Sequence, residues 1–429
     1  VGTNDFGLQL FKGFQFLNFI DLPENMMGAA FDVAFIDHEL FLATGKGLMK
    51  LHLSGDGFYT LLAHQVFLPG IGIKFIETDG EKGLWIASDY KVWYFNRTNN
   101  ELREIKAFNP YFAIINKITS FSKDKFGRLW VGSVEGLLMY NPSNDQVERL
   151  SQENGILKNY ISVVQAIGDT IWVGSRQSSL GVNYIVGNKV HKIDLPLVNT
   201  PISFFKKNKD LWIGTENQGI LVISGDSLKK RITIDDGLLS NHISFIRGEN
   251  RNIWVGNQKG LNYLSANNRT SWISYTKEQG FMGVDCLPGV VFTNDSTMWL
   301  GTSQGAILNQ INKMPRFDEE ILPVISRFLV NNKVAAIDKS IQLNYRQNEI
   351  LIEVSAVELY APEMMQLSYR VNGLNQRWKV LDVKQGISLI GIPPGDYSLQ
   401  IKTLNYNGQL AELKTPLNWT INPPWYYST

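Results

Sequence analysis

The chain has 429 residues, of which 44% are hydrophobic and 19% charged, and its formal net charge is +1. Such a composition can bury a sizeable core and excludes a disordered chain, and near-neutrality without a long basic run excludes an electrostatic footprint for nucleic acid. The single cysteine, Cys286, excludes an intrachain disulfide and a cysteine metal cluster. No stretch approaches about 18 consecutive apolar residues, so the sequence predicts no membrane-spanning helix within it.

The first elements in chain order are a strand predicted over residues 14–20 and, from Leu40, a short motif that then recurs six times. Each copy places an aromatic residue between aliphatic residues, followed by a small residue and then a hydroxyl or amide side chain. The aromatic positions lie 40 to 45 residues apart and are Phe41, Trp85, Trp130, Trp172, Trp212, Trp254 and Trp299. The alternation within each copy indicates a β-strand, and a period of this length with about four short strands predicts the blade of a β-propeller.

Each motif strand has predicted partners on both sides. An apolar strand precedes several copies, as over 118–121 and 243–246, and a polar turn leads from most copies to a strand that opens with glycine, as at Gly136 and Gly260. We expect the tryptophan to fill the space between neighbouring sheets, because a polar side chain could not do so. The glycine in the motif is expected where backbones approach closely near the axis.

Seven copies predict seven blades, with eight blades as the alternative. The last unit, 289–311, has material for three strands, so we expect residues 14–20 to supply the fourth and close the ring. The first eight residues match the end of a motif strand and its following Gly-Leu strand, so we expect further propeller upstream in a longer parent protein. The propeller domain is predicted over 1–315.

The region 321–429 lacks the motif but remains rich in predicted strands, which lie at 340–345, 349–355, 367–371, 397–404 and 417–421. About 110 residues with about seven short strands is the size of an immunoglobulin-like sandwich, and the lone cysteine makes it the disulfide-free, fibronectin-like kind. The predicted fold class is therefore all-β, with a seven-bladed β-propeller followed by an immunoglobulin- or fibronectin-like β-sandwich.

Sequence motifs for catalysis are absent. The five histidines are widely spaced without a zinc-binding pattern, and neither a nucleophile elbow nor a phosphate-binding loop occurs. We therefore predict no catalytic residue, no metal and no cofactor in this segment. Two alternatives stay open: a carbohydrate-active propeller enzyme, whose carboxylates would converge only in the folded ring, and a propeller scaffold that binds a protein partner through an apolar patch.

Candidate ligand-binding residues lie in the turns after the motif strands and in the loops that lead into the innermost strands. Both are expected on one face of the propeller near its channel, and mixed amide, charged and aromatic groups there suit a sugar. The candidates are Tyr90, Glu135, Asn159, Tyr160, Arg176, Glu216, Gln218, Asn241, His242, Lys259 and Gln304. Arg176, in the longest turn, and the bulky Tyr90 rank first. The competing interpretation is that these are solvated residues selected for tight turns.

The repeats resemble the two-component regulator propeller repeats of bacterial sensor proteins. Residues 367–378, Leu-Ser-Tyr-Arg-Val-Asn-Gly-Leu-Asn-Gln-Arg-Trp, are similar to the start of the triple-tyrosine domain that follows those propellers. So are Ile-Pro-Pro-Gly-Asp-Tyr at 392–397 and Pro-Pro-Trp-Tyr at 423–426. Leu367 and Leu389 depart from the pattern, since they stand where the family often has tyrosine. The two parts, in this order, cover nearly the whole chain.

This resemblance implies the periplasmic sensing segment of a sensor in the inner membrane, such as a hybrid histidine kinase. Sensors of this type detect oligosaccharides and switch on genes for polysaccharide degradation, so the implied ligand is oligosaccharide-like. The closing segment normally leads into a transmembrane helix, and Trp425, Tyr426 and Tyr427 agree with an aromatic belt at a membrane interface. The kinase would lie downstream. The signalling role also leads us to expect a homodimer through the sandwich.

Overall fold

The structure is a computed structural model that describes residues 2–3, 7–8, 16–19, 28–54, 60–176, 181–195, 200–249, 252–264, 272–276, 281, 285–293, 297–310, 321–337, 341–357, 365–382, 386–405 and 410–424. The chain divides into two compact units. One comprises Gly13–Ala266 and Ser274–Met314, and the other comprises Val1–Lys12, Asn267–Ile273 and Pro315–Thr429. The closing aromatic residues 425–427 lie outside the described residues.

Between residues 16 and 310, the described chain forms seven four-stranded antiparallel sheets. From innermost to outermost strand they are Ala30–Ile36, Glu39–Thr44, Gly47–Ser54 and Thr60–Phe67 (β4–β7); Ile73–Thr78, Gly83–Ser88, Val92–Asn96 and Glu101–Glu104 (β8–β11); Ile118–Lys123, Leu129–Ser133, Gly136–Asn141 and Gln146–Leu150 (β12–β15); Ile161–Ile167, Thr170–Ser175, Val182–Val186 and Lys189–Ile193 (β16–β19); Pro201–Lys207, Asp210–Thr215, Ile220–Ser224 and Ser227–Ile232 (β20–β23); Ile243–Glu249, Asn252–Asn257, Gly260–Leu264 and Ile273–Tyr275 (β24–β27); and Cys286–Thr293, Thr297–Thr302 and Gly305–Gln310 (β28–β30) with Phe16–Phe19 (β3).

Within the described residues, short helical segments occur in three of the connections between sheets. A 3₁₀ turn at Lys106–Phe108 runs into the helix Asn109–Ile115 (α1), which buries Ile115, while Phe108 is buried in the turn. Two further 3₁₀ turns, Gln152–Asn154 and Ile234–Asp236, each end at a glycine with a left-handed backbone. No helix in the described part of the chain has the length and apolar character needed to span a bilayer.

The innermost strands pack side by side in a closed ring, in which β28 contacts β4. This confirms the seven-bladed propeller over the eight-bladed alternative. The fourth strand of the seventh sheet comes from the N-terminal side, because β3 pairs antiparallel with β30, with Phe16 opposite Asn309 and Phe19 opposite Ala306. Backbone hydrogen bonds thus tie the two ends of the ring together, as they do in other closed sheet architectures.

The motif residues pack where neighbouring sheets meet. The Trp85 and Tyr140 rings, from the second and third blades, have centroids 6.0 Å apart, and both side chains are buried. The motif glycine lies against the innermost strand of the next blade: a Cβ at Gly132 would come within 2.8 Å of Ile161 Cγ2. Tryptophan and glycine therefore recur together because one fills the inter-sheet space and the other removes a clash at its edge.

Before the propeller strands in chain order, Gly2–Thr3 (β1) and Gly7–Leu8 (β2) form a two-stranded antiparallel pair. Thr3 stands opposite Gly7 and Gly2 opposite Leu8. In the seventh blade Thr302 likewise stands opposite Gly305. The pair therefore has the threonine-to-glycine register of a motif strand and its successor.

The described residues after 320 form a two-sheet sandwich. Its strands are Val324–Val330 (β31), Lys333–Val334 (β32), Ile341–Asn344 (β33), Glu349–Ser355 (β34), Gln366–Asn372 (β35), Asn375–Val380 (β36), Ile387–Ile390 (β37), Gly395–Leu404 (β38), Leu410–Glu412 (β39) and Leu417–Asn422 (β40). The first sheet has the order β32-β31-β34-β37, and the second has the order β33-β40-β38-β35-β36 with β39 beside β38.

One hydrophobic core joins the two sheets of the sandwich. Phe328 and Ile352 enter it from the first sheet, and Leu399 and Trp419 from the second. The hydroxyl of Tyr397 donates to the carbonyl of Pro393 at 2.6 Å, a contact of the kind that fixes corners in immunoglobulin-like domains. The predicted all-β fold class, propeller and sandwich, is confirmed.

Candidate ligand-binding site

A groove of about 410 Å³ lies where loops that enter the innermost strands meet turns that follow the motif strands. It extends over the second to fifth blades. Three sequence candidates, Tyr160, Arg176 and Glu216, line it together. The other polar side chains of the lining are Lys74, Asp89, Lys117, Thr119, Ser162 and Thr200.

Arg176 and Tyr160 act as one unit in this groove. Arg176 Nη1 donates to the Tyr160 hydroxyl at 3.2 Å, and the guanidinium carbon lies 5.1 Å from the centroid of the tyrosine ring. The backbone N–H of Arg176 also donates to the carbonyl of Tyr160 at 2.8 Å. A guanidinium has five N–H donors, and within the described residues this one donates to Tyr160 alone, so its other donors are available to a bound molecule. Glu216 is positioned by its own backbone N–H, which donates to the carbonyl of Thr200 at 3.0 Å.

Charges of both signs surround this unit. Lys117 Nζ lies 3.5 Å from Asp89 Oδ1, and Lys74 Nζ lies 3.3 Å from the centroid of the Phe31 ring. Burial lowers the pKa of Lys74; Asp89 opposes that shift and Lys117 reinforces it. The groove thus holds three cationic and two anionic side chains within reach of one ligand.

Two other sequence candidates, Asn159 and Asn241, stabilise the conformations of equivalent loops. Asn159 Oδ1 accepts the backbone N–H of Gln152, and Asn241 Oδ1 accepts that of Ile234, each at 3.0 Å. Their amide oxygens are therefore used within the fold.

The remaining candidates do not line the groove; they are Tyr90, Glu135, Gln218, His242, Lys259 and Gln304. In most of these turns, the last side chain of the motif strand accepts a backbone N–H, as Ser133 Oγ does from Glu135 at 3.2 Å. Tyr90 is 57% exposed, and its neighbour Asp89 is the residue of that turn that reaches the groove.

A second cavity, of about 580 Å³, runs along the innermost strands and forms a channel. It shares Lys74, Phe75, Thr119, Ser162 and Ile202 with the groove, so the two cavities adjoin. Its volume is that of a small-molecule pocket. None of its residues is among the ligand-binding candidates that the sequence indicated.

Most polar side chains of the channel bond to the backbone of the next innermost strand. An innermost strand has one edge without a β-ladder partner, so its N–H groups need other acceptors. The acceptor side chains and their donors are Asp32 with Ile76, Ser120 with Val164, Ser122 with Ala166, Gln165 with Phe204 and Ser203 with Ile246, at 2.8–3.1 Å.

Three ionisable side chains share the channel. Burial raises the pKa of Asp32 to about 7, although backbone N–H groups and Arg247 oppose the shift. Burial, reinforced by Asp32, raises the pKa of Glu77 to about 8. Burial lowers the pKa of Arg247, and the two carboxyl groups oppose that shift. Among the described residues, no group of three or more His, Cys, Asp or Glu side chains is arranged to hold a metal ion.

A sequence signal for these channel residues exists in the strand register. Glu77 pairs with Trp85, Gln165 with Trp172 and Arg247 with Trp254. Each therefore lies seven or eight positions before a motif aromatic residue, so counting back from the motif would have identified them.

No family model matches the chain, whereas a curated protein and solved structures are similar to it. The chain is 26% identical to Histidine kinase P4 of Formosa agariphila over 467 aligned positions, which cover 96% of this chain and 33% of that protein. A solved structure described as the extracellular domain of hybrid two component system BT3049 from B. thetaiotaomicron aligns with TM-score 0.63 and 17% identity, covering 95% of this chain and 57% of that one. The extracellular domain of BT4673 from B. thetaiotaomicron aligns with TM-score 0.54 and 19% identity, covering 98% of this chain and 59% of that one.

These comparisons confirm the predicted resemblance to extracellular domains of hybrid two-component systems and to a histidine kinase. At under 25% identity, the solved structures bear on the fold alone. The chain spans about a third of the curated relative and less than two thirds of the solved chains.

Proposed function

We propose that this chain is the ligand-sensing segment, outside the cytoplasm, of a membrane-bound two-component sensor, and that its propeller binds an oligosaccharide. The observation that carries the proposal is the groove in which Tyr160, Arg176 and Glu216 meet. The likeness to a histidine kinase and to extracellular domains of hybrid systems supports the sensor part.

The chemistry of the groove suits a sugar. Sugar hydroxyls donate and accept hydrogen bonds at once, and the guanidinium of Arg176 and the carboxylate of Glu216 supply opposite partners for them. Tyr160 adds an apolar ring and a hydroxyl, which together match the mixed surface of a pyranose.

A bound ligand would act through the sandwich on regions of the parent protein beyond this segment. Ligand can shift an equilibrium between two arrangements only by binding one of them more tightly. We propose a homodimer through the sandwich as the arrangement that changes, with a membrane helix and a kinase downstream. Sedimentation of the segment at high concentration tests this, since a strict monomer would contradict dimerisation of the isolated segment.

Calorimetric titration against linear oligosaccharides of two to six units, built from glucose, galactose, mannose or xylose, tests the ligand class. At least one should bind, and Arg176→Ala should weaken that binding about tenfold or more. Lys259→Ala is the matched control, because this exposed cation lies in an equivalent turn but does not line the groove.

Tyr90→Ala distinguishes the groove from the rest of the rim. It should leave affinity unchanged if the groove is the site. Loss of binding in Tyr90→Ala with none in Arg176→Ala would move the site elsewhere on the rim, and no binding by any member of the panel would overturn the proposal.

The channel carboxyl groups favour a second candidate, a carbohydrate-cleaving enzyme. Asp32 and Glu77 have raised pKa values and line one cavity, as an acid and base for glycoside hydrolysis would. Incubation of the same panel with the protein should yield shortened products that Glu77→Gln abolishes. Intact oligosaccharides after prolonged incubation at saturating concentration would exclude it.

A further inference from the structure

The innermost strand of the sixth blade, β24, uses its polar side chains differently from β12 and β16, the innermost strands of the third and fourth blades. Thr119 and Ser162, which line the channel from β12 and β16, donate their hydroxyls to Ile161 and Pro201 carbonyls of the next blade at 2.6 Å. Ser244 lines the same channel and is only 6% exposed, yet its hydroxyl has no hydrogen-bond partner among the described residues. A hydroxyl that lines an open cavity and is not used within the described fold is available to a bound molecule.

Arg247, three residues further along β24, also has hydrogen-bond donors that the described residues do not use. Its guanidinium makes one hydrogen bond, to the carbonyl of Ile246 at 3.0 Å, and no ion pair with any described carboxylate. An arginine cannot accept a backbone N–H, so it cannot serve as the side-chain acceptor that Glu77 and Gln165 provide at equivalent positions. Arg247 is half-buried and lines the channel, so its unused N–H donors are available to a molecule bound there.

The channel also offers acceptors on other strands. The Asp32 carboxylate accepts backbone N–H groups from Val33 and Ile76, one on each oxygen, and has lone pairs left over. Glu77 accepts a backbone N–H from Lys123. One cavity therefore presents unused donors from β24 and unused acceptors from β4 and β8.

We propose that the channel is the inner part of the binding site and receives the terminal sugar unit of the oligosaccharide that lies in the groove. This rests on the proposed oligosaccharide ligand and adds which part of it is recognised. Hydroxyls of an uncharged sugar would accept from Arg247 and Ser244 and donate to Glu77 and Asp32. The shared residues, among them Phe75 and Ser162, form the passage between groove and channel.

Because the ligand would enter the channel end-on, the site would recognise the ends of sugar chains. An internal unit of a polymer continues in both directions, so it enters the channel only by threading, whereas a free end enters directly. The ligand class is therefore short oligosaccharides with one unmodified, uncharged end, and not the intact polysaccharide.

The test uses the best-binding oligosaccharide of the panel and the unaltered protein. Calorimetry compares this ligand with derivatives methylated at the non-reducing or reducing end, with an end-oxidised acidic form, and with the parent polymer. Modification of one end should weaken binding about tenfold or more, and the polymer should bind in proportion to its ends.

A variant arm isolates the channel residues. Arg247→Gln should weaken binding of the unmodified ligand about tenfold but not further weaken that of the end-modified one, because both changes remove the same contact. Lys189→Gln, on an exposed outer strand, is the control. If oligosaccharides bind and neither end modification nor Arg247→Gln matters, the channel inference is wrong while the groove remains the site. If no oligosaccharide binds, both fail. If the acidic form binds more tightly, the channel takes an anionic end and the uncharged-end proposal is overturned.

Discussion

The indole Nε1 of Trp130 donates a hydrogen bond to Asp124 Oδ2 at 2.9 Å. The carboxylate of Asp124, only 3% exposed, also accepts the backbone N–H groups of Phe126 and Arg128 and the Arg128 Nε. This third-blade contact anchors its tryptophan by a polar bond. Motif tryptophans whose buried indole N–H has no hydrogen-bond partner in the described structure are Trp85, Trp172 and Trp254.

Asp124→Ala is therefore expected to destabilise the propeller by about 2–4 kcal/mol, since it leaves several buried donors unsatisfied. Urea denaturation followed by tryptophan fluorescence measures this as a lower midpoint. The control is Asp169→Ala, because Asp169 pairs with Lys125 at the surface with its side chain 71% exposed, and we expect less than about 1 kcal/mol. Equal midpoints for the two variants would contradict the anchoring role.

Gly301→Ala is expected to weaken the junction between the seventh and first blades. A Cβ at this position would lie 2.2 Å from the carbonyl oxygen of Ala30, which belongs to a strand that cannot move without disturbing the ring. We expect a loss of about 2–3 kcal/mol in the free energy of unfolding. Gly45→Ala has open space for its Cβ and should change stability little. A Gly301→Ala protein as stable as Gly45→Ala would show that the junction yields freely.

Stability should fall as pH rises toward 8. Because the folded state raises the pKa of Asp32 to about 7 and of Glu77 to about 8, it binds more protons than the unfolded chain above about pH 4. The free energy of unfolding therefore decreases from about pH 4 to about pH 8, by up to about 1.4 kcal/mol per pH unit for each proton.

The variant Glu77→Gln should flatten that dependence, because a neutral amide does not titrate. Denaturation at pH 5, 6, 7 and 8 measures the slope for the variant and the wild-type protein. Glu148→Gln, on an exposed part of β15, should follow the wild-type curve. A Glu77→Gln slope equal to the wild-type slope would show that Glu77 does not contribute to the pH dependence.

Local patterns predicted the blades because each blade is built from contacts that repeat with the chain. Trp85 and Gly132 occupy the inter-sheet positions that their spacing indicated. In the sandwich, the alternation over 349–355 coincides with Glu349–Ser355, since one face of that strand is buried and the other is not. The turn side chains were harder to judge, because tight-turn geometry and ligand binding select the same polar residues.

By itself, the sequence determined the repeat and the sandwich that follows, because apolar alternation and residue spacing are local properties. The choice of seven blades over eight came from the contact that closes the ring between β28 and β4. Only the closed ring decided which polar side chains share a cavity. Asp32, Glu77 and Arg247 are far apart along the chain and come from three different blades, and each looks like an ordinary strand residue in its own repeat. Their common environment arises when seven strands surround one axis, which no single repeat can do.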